Sequence, residues 1–142
     1  MQTDFLDAHE RHLEDAKMLH ENERLANADH LYGMSAECGL KWLMLAFGMS
    51  FDSDRDRPEK DKDRKHVDMI WHRYEVYRSG HHLGIGYALP AQNPFDDWNA
   101  NQRYAHRSNF DAARVQKHRT GAEEVRNMVK KAKLEGLNDH LR

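Results

Sequence analysis

The chain has 142 residues, of which 39% are hydrophobic and 32% charged, with a formal net charge of −2 and a single cysteine. This length predicts one domain, residues 1–142, while one cysteine excludes a disulfide framework within the chain. The longest strongly apolar run, residues 42–49, is far shorter than the ~20 residues of a membrane span, and no signal-peptide pattern is visible, so we expect a cytoplasmic protein without a membrane partner.

Two helices are predicted in the N-terminal third. The first covers residues 4–22, with Thr3 or Asp4 as its N-cap. The second covers residues 27–49, with Asn27 as its N-cap, and is apolar on nearly all sides, which is typical of a core helix. The turn between them is short, so we expect antiparallel neighbours.

A narrow polar stripe of His30, Glu37 and Lys41 runs along the second helix. Glu37 and Lys41 are four residues apart, in the orientation that favours an ion pair. Burying a charged pair is costly unless it is hydrogen-bonded, so the pair is expected to be half exposed or to face a site.

Residues 52–63 form a mixed-charge stretch that predicts a mobile loop. Three aspartates in it imitate the first ligands of a calcium loop. Arg57 and Asp63 stand where such a loop needs Gly and Glu, which excludes calcium.

Helix three is predicted over residues 64–78 and helix four over residues 108–135, with Gly136 as a C-terminal cap. The glycines and prolines of residues 81–97 predict an irregular segment between them. No alternating strand pattern is present. The fold class is therefore all-α, a four-helix up-down bundle with a charged loop after helix two and an irregular segment before helix four.

Charge is unevenly distributed. Residues 1–30 carry three Lys/Arg against eight Asp/Glu, and residues 99–135 carry nine against four. Two neighbouring helices with complementary surfaces explain this distribution, and so does a basic segment that meets phosphate.

The eleven histidines raise the question of a metal site. Leu13 stands where the zinc-protease pattern needs its second histidine, and no Glu is followed three residues later by His. We therefore predict no metal and no cofactor.

A second candidate region is residues 95–108. Trp98 provides an aromatic anchor, and Arg103 with Tyr104 lies just before helix four, whose N-terminus has free amides suited to an anion. The alternative is that Trp98 and Tyr104 are packing residues and that Arg103 pairs with Glu37.

Three segments carry a family resemblance. Residues 24–43 include Ser-Ala-Glu-Cys-Gly-Leu-Lys, which resembles the Ala-Ala-Glu-x-x-Leu-Lys pattern of the opening helical hairpin of HEPN domains (higher eukaryotes and prokaryotes nucleotide-binding). Residues 65–71 resemble the family's His-Asp-Leu entry to the third helix, with one residue inserted. Residues 98–105 are similar to the Trp…Arg-Tyr segment before the last helix of many small bacterial members.

The resemblance implies a helical bundle, often dimeric, in families that include ribonucleases of toxin–antitoxin and defence systems and nucleotide-binding or inactive relatives. The family's ribonuclease motif is an Arg followed by four to six residues and then His. Here Arg103 precedes His106 by only two intervening residues and Arg114 precedes His118 by three, whereas Arg24 and His30 have the family's gap but join the first two helices.

Sequence and resemblance together predict a HEPN-like module that binds a nucleotide, RNA or another phosphate-bearing ligand and is not a competent nuclease. The expected ligand-binding residues are Glu37, Lys41, Arg103, Tyr104, His30 and Trp98. One alternative is a metal-independent ribonuclease that uses His106 and Arg103 as catalytic residues. Another is a non-enzymatic dimeric partner of a nucleotidyltransferase or antitoxin-type protein encoded by a neighbouring gene. A homodimer is expected in each case.

Overall fold

The computed structural model describes residues 1–139 and confirms the all-α class. Its helices are α1 (Phe5–Glu21), α2 (Leu25–Ala46), α3 (Val67–Ser79) and α4 (Ala112–Glu135). Asp4 caps α1 by accepting a hydrogen bond from the N–H of Asp7, and Gly136 ends α4 with a φ of 66°. Among the described residues, extended structure is confined to two short strands, β1 (Phe51–Asp52) and β2 (Arg57–Pro58).

Three helix starts differ from the prediction, and α3 begins at Val67, three residues later than expected. Helix α2 begins at Leu25, so Arg24 and not Asn27 occupies the N-cap position, and no side chain in residues 1–139 caps it. Helix α4 begins four residues later than expected, with the carboxylate of Asp111 accepting a hydrogen bond from the N–H of Arg114. Residues 108 and 109, which were expected in the first turn of α4, belong instead to a separate 3₁₀ helix, Arg107–Asn109.

Helix α2 is the centre of the core and packs against the other three helices. Most of its buried apolar residues belong to one cluster of apolar side chains to which all four helices contribute. Cys38 is buried in this helix, and burial raises the pKa of its thiol to about 12, which fits a structural thiol.

The helices do not follow the predicted up-down order. Glu37 and His66 meet near the start of α3, and further along both helices the Phe47 and Tyr74 rings lie 6.1 Å apart, so α2 and α3 run in the same direction. The contacts of α2 with α4 show that this pair is also parallel (Asp29 with His118, Trp42 with Asn138). Only α1 runs opposite to α2 (His9 with Ser35, His20 with Tyr32).

Parallel neighbours need long connections that return the chain to the same end of the bundle. Residues 47–66 and residues 80–111 serve this purpose. The first connection is more structured than the predicted loop, because β1 and β2 pair as an antiparallel hairpin and a 3₁₀ helix follows at Asp61–Arg64. Asp63 is buried and accepts hydrogen bonds from Arg73 Nε at 2.7 Å and from the Tyr77 hydroxyl at 2.5 Å. None of the helices described is long and apolar enough to cross a membrane.

Candidate functional site

Glu37 and Lys41 of the polar stripe of α2 are buried, and they form a cluster with His66, which is half exposed at the start of α3. Lys41 Nζ donates to Glu37 Oε2 at 3.1 Å, and His66 Nδ1 donates to Glu37 Oε1 at 2.9 Å. Glu37 and Lys41 are each only 6% exposed, so of the two alternatives for this pair, half exposure is excluded. The hydrogen bond with Glu37 raises the pKa of His66 against the opposing effect of partial burial. Both Glu37 oxygens are occupied, so the cluster ties α2 to the start of α3.

Trp98 is a core residue and not part of a ligand-binding surface. It is 1% exposed, and its indole Nε1–H donates to the Asp29 carbonyl at 3.2 Å. Its ring lies so close to Gly33 that a Cβ atom there would come within 2.2 Å of the indole. For Trp98, the packing alternative is therefore confirmed.

His30 lies against Trp98, with the two rings stacked at 5.6 Å and an interplanar angle of 18°. Its Nδ1 is buried and has no hydrogen-bond partner in residues 1–139. Burial is the main cause that lowers the pKa of His30, and the positive charge of Arg103 adds to it. His30 therefore favours the neutral form and contributes an aromatic face to the packing of Trp98.

Arg103 and Tyr104 are exposed at the end of a 3₁₀ helix, Ala100–Tyr104. The Arg103 guanidinium lies 4.9 Å from the centroid of the Tyr104 ring, which is 78% exposed. No ion pair joins Arg103 to Glu37, so the prediction that they pair is wrong, and so is the prediction that Tyr104 is a packing residue. At the start of α4, where an anion site was expected, the carboxylate of Asp111 already accepts from the N–H of Arg114.

A buried network around Asp29, which the sequence patterns did not reveal, attaches residues 97–102 to the bundle. Asp29 is fully buried and accepts hydrogen bonds from His118 Nδ1 at 2.6 Å and Gln102 Nε2 at 2.7 Å. Arg114 Nε approaches its second oxygen at 3.4 Å. On the other side of the His118 ring, Nε2 donates to Asp97 Oδ1 at 2.8 Å.

This network engages both Arg114 and His118, the pair whose spacing was compared above with the family's ribonuclease motif. His118 is fully buried, and a carboxylate occupies each ring nitrogen, so the ring has no nitrogen left to act as a base. Burial alone would raise the pKa of Asp97, but hydrogen bonds from Lys117 and His118 and the charge of Arg114 lower it to about 2. Asp29 and Asp97 are far from His118 in the sequence, and only the packing of α2 and of the segment before α4 against α4 makes them its partners.

A cleft of about 510 Å³ lies where the α1–α2 turn meets the segment before α4, and we call it the α2 cleft. Its lining comprises residues 23–27 and 105–107 together with Phe110. It contains two arginines, Arg24 and Arg107, against one carboxylate, Glu23. The first turn of α2 forms one wall, and the first N–H groups of a helix have no partner within the helix.

The α2 cleft also contains His106, the histidine expected to be catalytic. Its Nδ1 accepts a hydrogen bond from the N–H of Ser108 at 3.1 Å and lies 2.9 Å from the Ser108 hydroxyl. Arg103 does not line the cleft, so the structure places His106 with Arg24 and Arg107 and not with Arg103. In the sequence, Arg24 is distinguished only by its spacing from His30.

Several basic side chains of α4 form ion pairs with carboxylates of the same chain. Arg114 and Lys117 pair with Asp97, and Lys133 pairs with Glu10 of α1 at 3.0 Å. Arg119 pairs with Glu123 on its own helix. Two ion pairs, Lys133 with Glu10 and Arg114 with Asp29, join α4 to the acidic first 30 residues, and the arginines that line the cleft lie outside α4.

No group of three or more His, Cys, Asp or Glu side chains in residues 1–139 is arranged to hold a metal ion. Comparison of the chain with protein-family models, with curated proteins and with solved structures found no match. The HEPN resemblance therefore stays a prediction that rests on the three segments quoted above.

Proposed function

We propose that this protein is a HEPN-like module that binds a nucleotide, RNA or another phosphate-bearing ligand in the α2 cleft. One observation carries the proposal, namely that Arg24, Arg107 and His106 line a cleft of about 510 Å³. This volume lies within the range of small-molecule sites. Two guanidinium groups can make charge-assisted hydrogen bonds to phosphate oxygens, and the first-turn amides of α2 add donors on the same side.

The neighbouring surface suits the organic part of such a ligand. Tyr104 is held next to Arg103 with its ring open to solvent, and it lies one residue before the cleft segment 105–107. Exposed aromatic rings and arginines are the groups on which unpaired bases stack. In this proposal Glu37, Lys41, His30 and Trp98 support the site from inside the bundle and do not touch the ligand.

The proposal is tested by fluorescence anisotropy with a 5′-fluorescein-labelled oligouridylate in EDTA. Arg107→Gln and Arg24→Gln should each weaken binding about tenfold, because each removes a hydrogen bond between charged groups. Each change should also reduce the salt dependence of the affinity by about one counterion. Arg57→Gln, an exposed arginine in β2, is the matched control and should bind like the wild type. Equal affinity of all four proteins would refute the site.

Ribonuclease activity is the second candidate, because the structure places His106 and Arg107 in the same cleft. Metal-free cleavage needs a base for the 2′-hydroxyl and a cation for the phosphorane charge. The contacts of His106 Nδ1 with Ser108 leave only Nε2 for proton transfer. Cleavage of total RNA in EDTA by the wild type, but not by His106→Ala, would establish this function in place of simple binding.

A third candidate is a non-enzymatic dimeric partner of a nucleotidyltransferase or antitoxin-type protein. If the oligouridylate and free nucleotides both fail to bind, this candidate becomes the leading one. Its test is co-purification with the product of a neighbouring gene, together with the mass of the isolated protein in solution, which should be that of a homodimer.

A further inference from the structure

Trp98 connects the interior of the bundle to the proposed ligand site. Its ring contacts His30 and His66, at centroid distances of 5.6 and 6.2 Å, and its indole N–H donates to the Asp29 carbonyl. The chain that follows it, residues 99–107, contains the exposed Arg103–Tyr104 pair and then the cleft residues His106 and Arg107. The position of this segment therefore depends on the packing of Trp98, together with the hydrogen bond from Gln102 to Asp29.

The packing of Trp98 depends in turn on the protonation of His30. In the neutral ring, the buried Nδ1 can be a bare lone pair, but a protonated ring carries a hydrogen on both nitrogens. That hydrogen would have no acceptor among the described residues, and an unsatisfied buried donor is costly. The charged groups that face His30 are Asp29 and Glu37 on α2, Arg103 on the 3₁₀ helix, His66 before α3 and His12 on α1.

These surroundings compensate a charge on His30 only in part. Asp29 and Glu37 favour the charged ring, but Asp29 already accepts from His118 and Gln102, and Glu37 from Lys41 and His66. The face of Trp98 attracts a cation but offers no acceptor to the buried Nδ1–H, and the charge of Arg103 opposes protonation. A protonated ring therefore reaches an acceptor for Nδ1–H only by moving towards water.

We propose that protonation of His30 releases Trp98 from the core and removes one of the attachments of residues 99–107, so that acidification weakens ligand binding in the α2 cleft. The coupling to the ligand rests on the proposed function, whereas the release of Trp98 does not. This effect of acidification on affinity is opposite to that of a surface histidine in a basic cleft, because protonation of His106 alone would strengthen the binding of an anion.

The direction of the pKa shift of His30 agrees with a release of Trp98 at low pH. Burial lowers the pKa of His30 from its ordinary 6.5, so the packed state binds fewer protons than the released one. The packed arrangement is fully favoured above about pH 6.5 and loses stability as the pH falls from there toward the lowered pKa. His66 acts in the opposite direction, because its raised pKa makes its contribution complete below 6.5 and removes it at higher pH.

The experiment is hydrogen exchange of the tryptophan indole N–H groups, followed by NMR on the full chain. Trp71 is an internal reference, because its indole N–H donates to the Pro90 carbonyl at 3.1 Å and it has no aromatic contact with His30. Between about pH 7.5 and 5.5, the protection of Trp98 relative to Trp71 should fall by up to about tenfold in the wild type.

Two substitutions of matched chemistry assign the effect. His30→Phe keeps the aromatic stack and cannot titrate, so its protection ratio should stay constant with pH. His12→Phe removes a neighbouring histidine whose pKa is also lowered by burial, but which does not contact Trp98, and it should behave like the wild type. If His30→Phe does not fold, His30→Gln replaces it.

A constant ratio in the wild type, or an equal fall in the His30 variant, overturns the release of Trp98. Saturating labelled oligouridylate at about pH 5.5 should restore the protection of Trp98 by linkage. If the probe binds without restoring it, the coupling to the cleft is overturned. If the probe does not bind even at about pH 7.5, the proposed function fails while the release of Trp98 is still decided by the exchange data.

Discussion

Replacing Asp29 by Asn should be among the most destabilising conservative changes in this protein. Asp29 is fully buried on α2 and accepts from His118, Gln102 and Arg114. All three partners are donors. An asparagine offers one oxygen to them and turns an NH₂ group toward a donor, so at least one close hydrogen bond becomes a donor–donor contact.

The size of the expected loss of stability follows from the burial of Asp29. Removing one partner of a buried ion pair costs about 3–5 kcal/mol, because the remaining charge is left uncompensated in the interior. His118 is equally buried, so solvent cannot replace the lost carboxylate. We therefore expect Asp29→Asn to lower the free energy of unfolding by about 3–5 kcal/mol, a large part of the stability of a typical domain.

Asp97→Asn is the matched control. Asp97 interacts with His118, Arg114 and Lys117, but its side chain is 40% exposed, so water screens the loss. Its cost should be below about 1 kcal/mol and should decrease with added salt. Urea unfolding of both variants at neutral pH measures the difference. Equal costs, or less than about 1.5 kcal/mol for Asp29→Asn, would refute the claim that burial of the network sets its contribution.

Three further outcomes are expected. Gly33→Ala should lower the free energy of unfolding by about 2 kcal/mol in urea titrations, because the new methyl group meets Trp98 at 2.2 Å. The double variant Gly33→Ala/Trp98→Phe should lose less stability than the sum of the losses of the two single variants. Because burial lowers the pKa of His9, stability should fall as the pH drops below about 6.5, and His9→Leu should show a shallower pH slope in thermal melts. The contribution of Asp97, whose pKa is lowered to about 2, should be complete above about pH 4 and disappear between about pH 4 and 2, and Asp97→Asn should lack this loss in acid titrations.

Local patterns in the sequence were sufficient to predict that the four helices exist and roughly where they lie. The apolar face of α3, Asp4 as the cap of α1 and Gly136 as the end of α4 are all readable from neighbouring residues, because helical periodicity and capping act over a few positions. The ion pair of Glu37 with Lys41 followed from the same periodicity.

Only the tertiary structure decided which helices run parallel and which charges meet. Asp29 and His118 are 89 positions apart, so no short-range pattern marks them as partners. The same holds for His66 with Glu37, and for Arg24 with His106 across the cleft. The long connections reverse the chain twice and bring these residues together. The sequence determined the elements because their forces are local, whereas the site depends on contacts between distant segments that form only when the core closes.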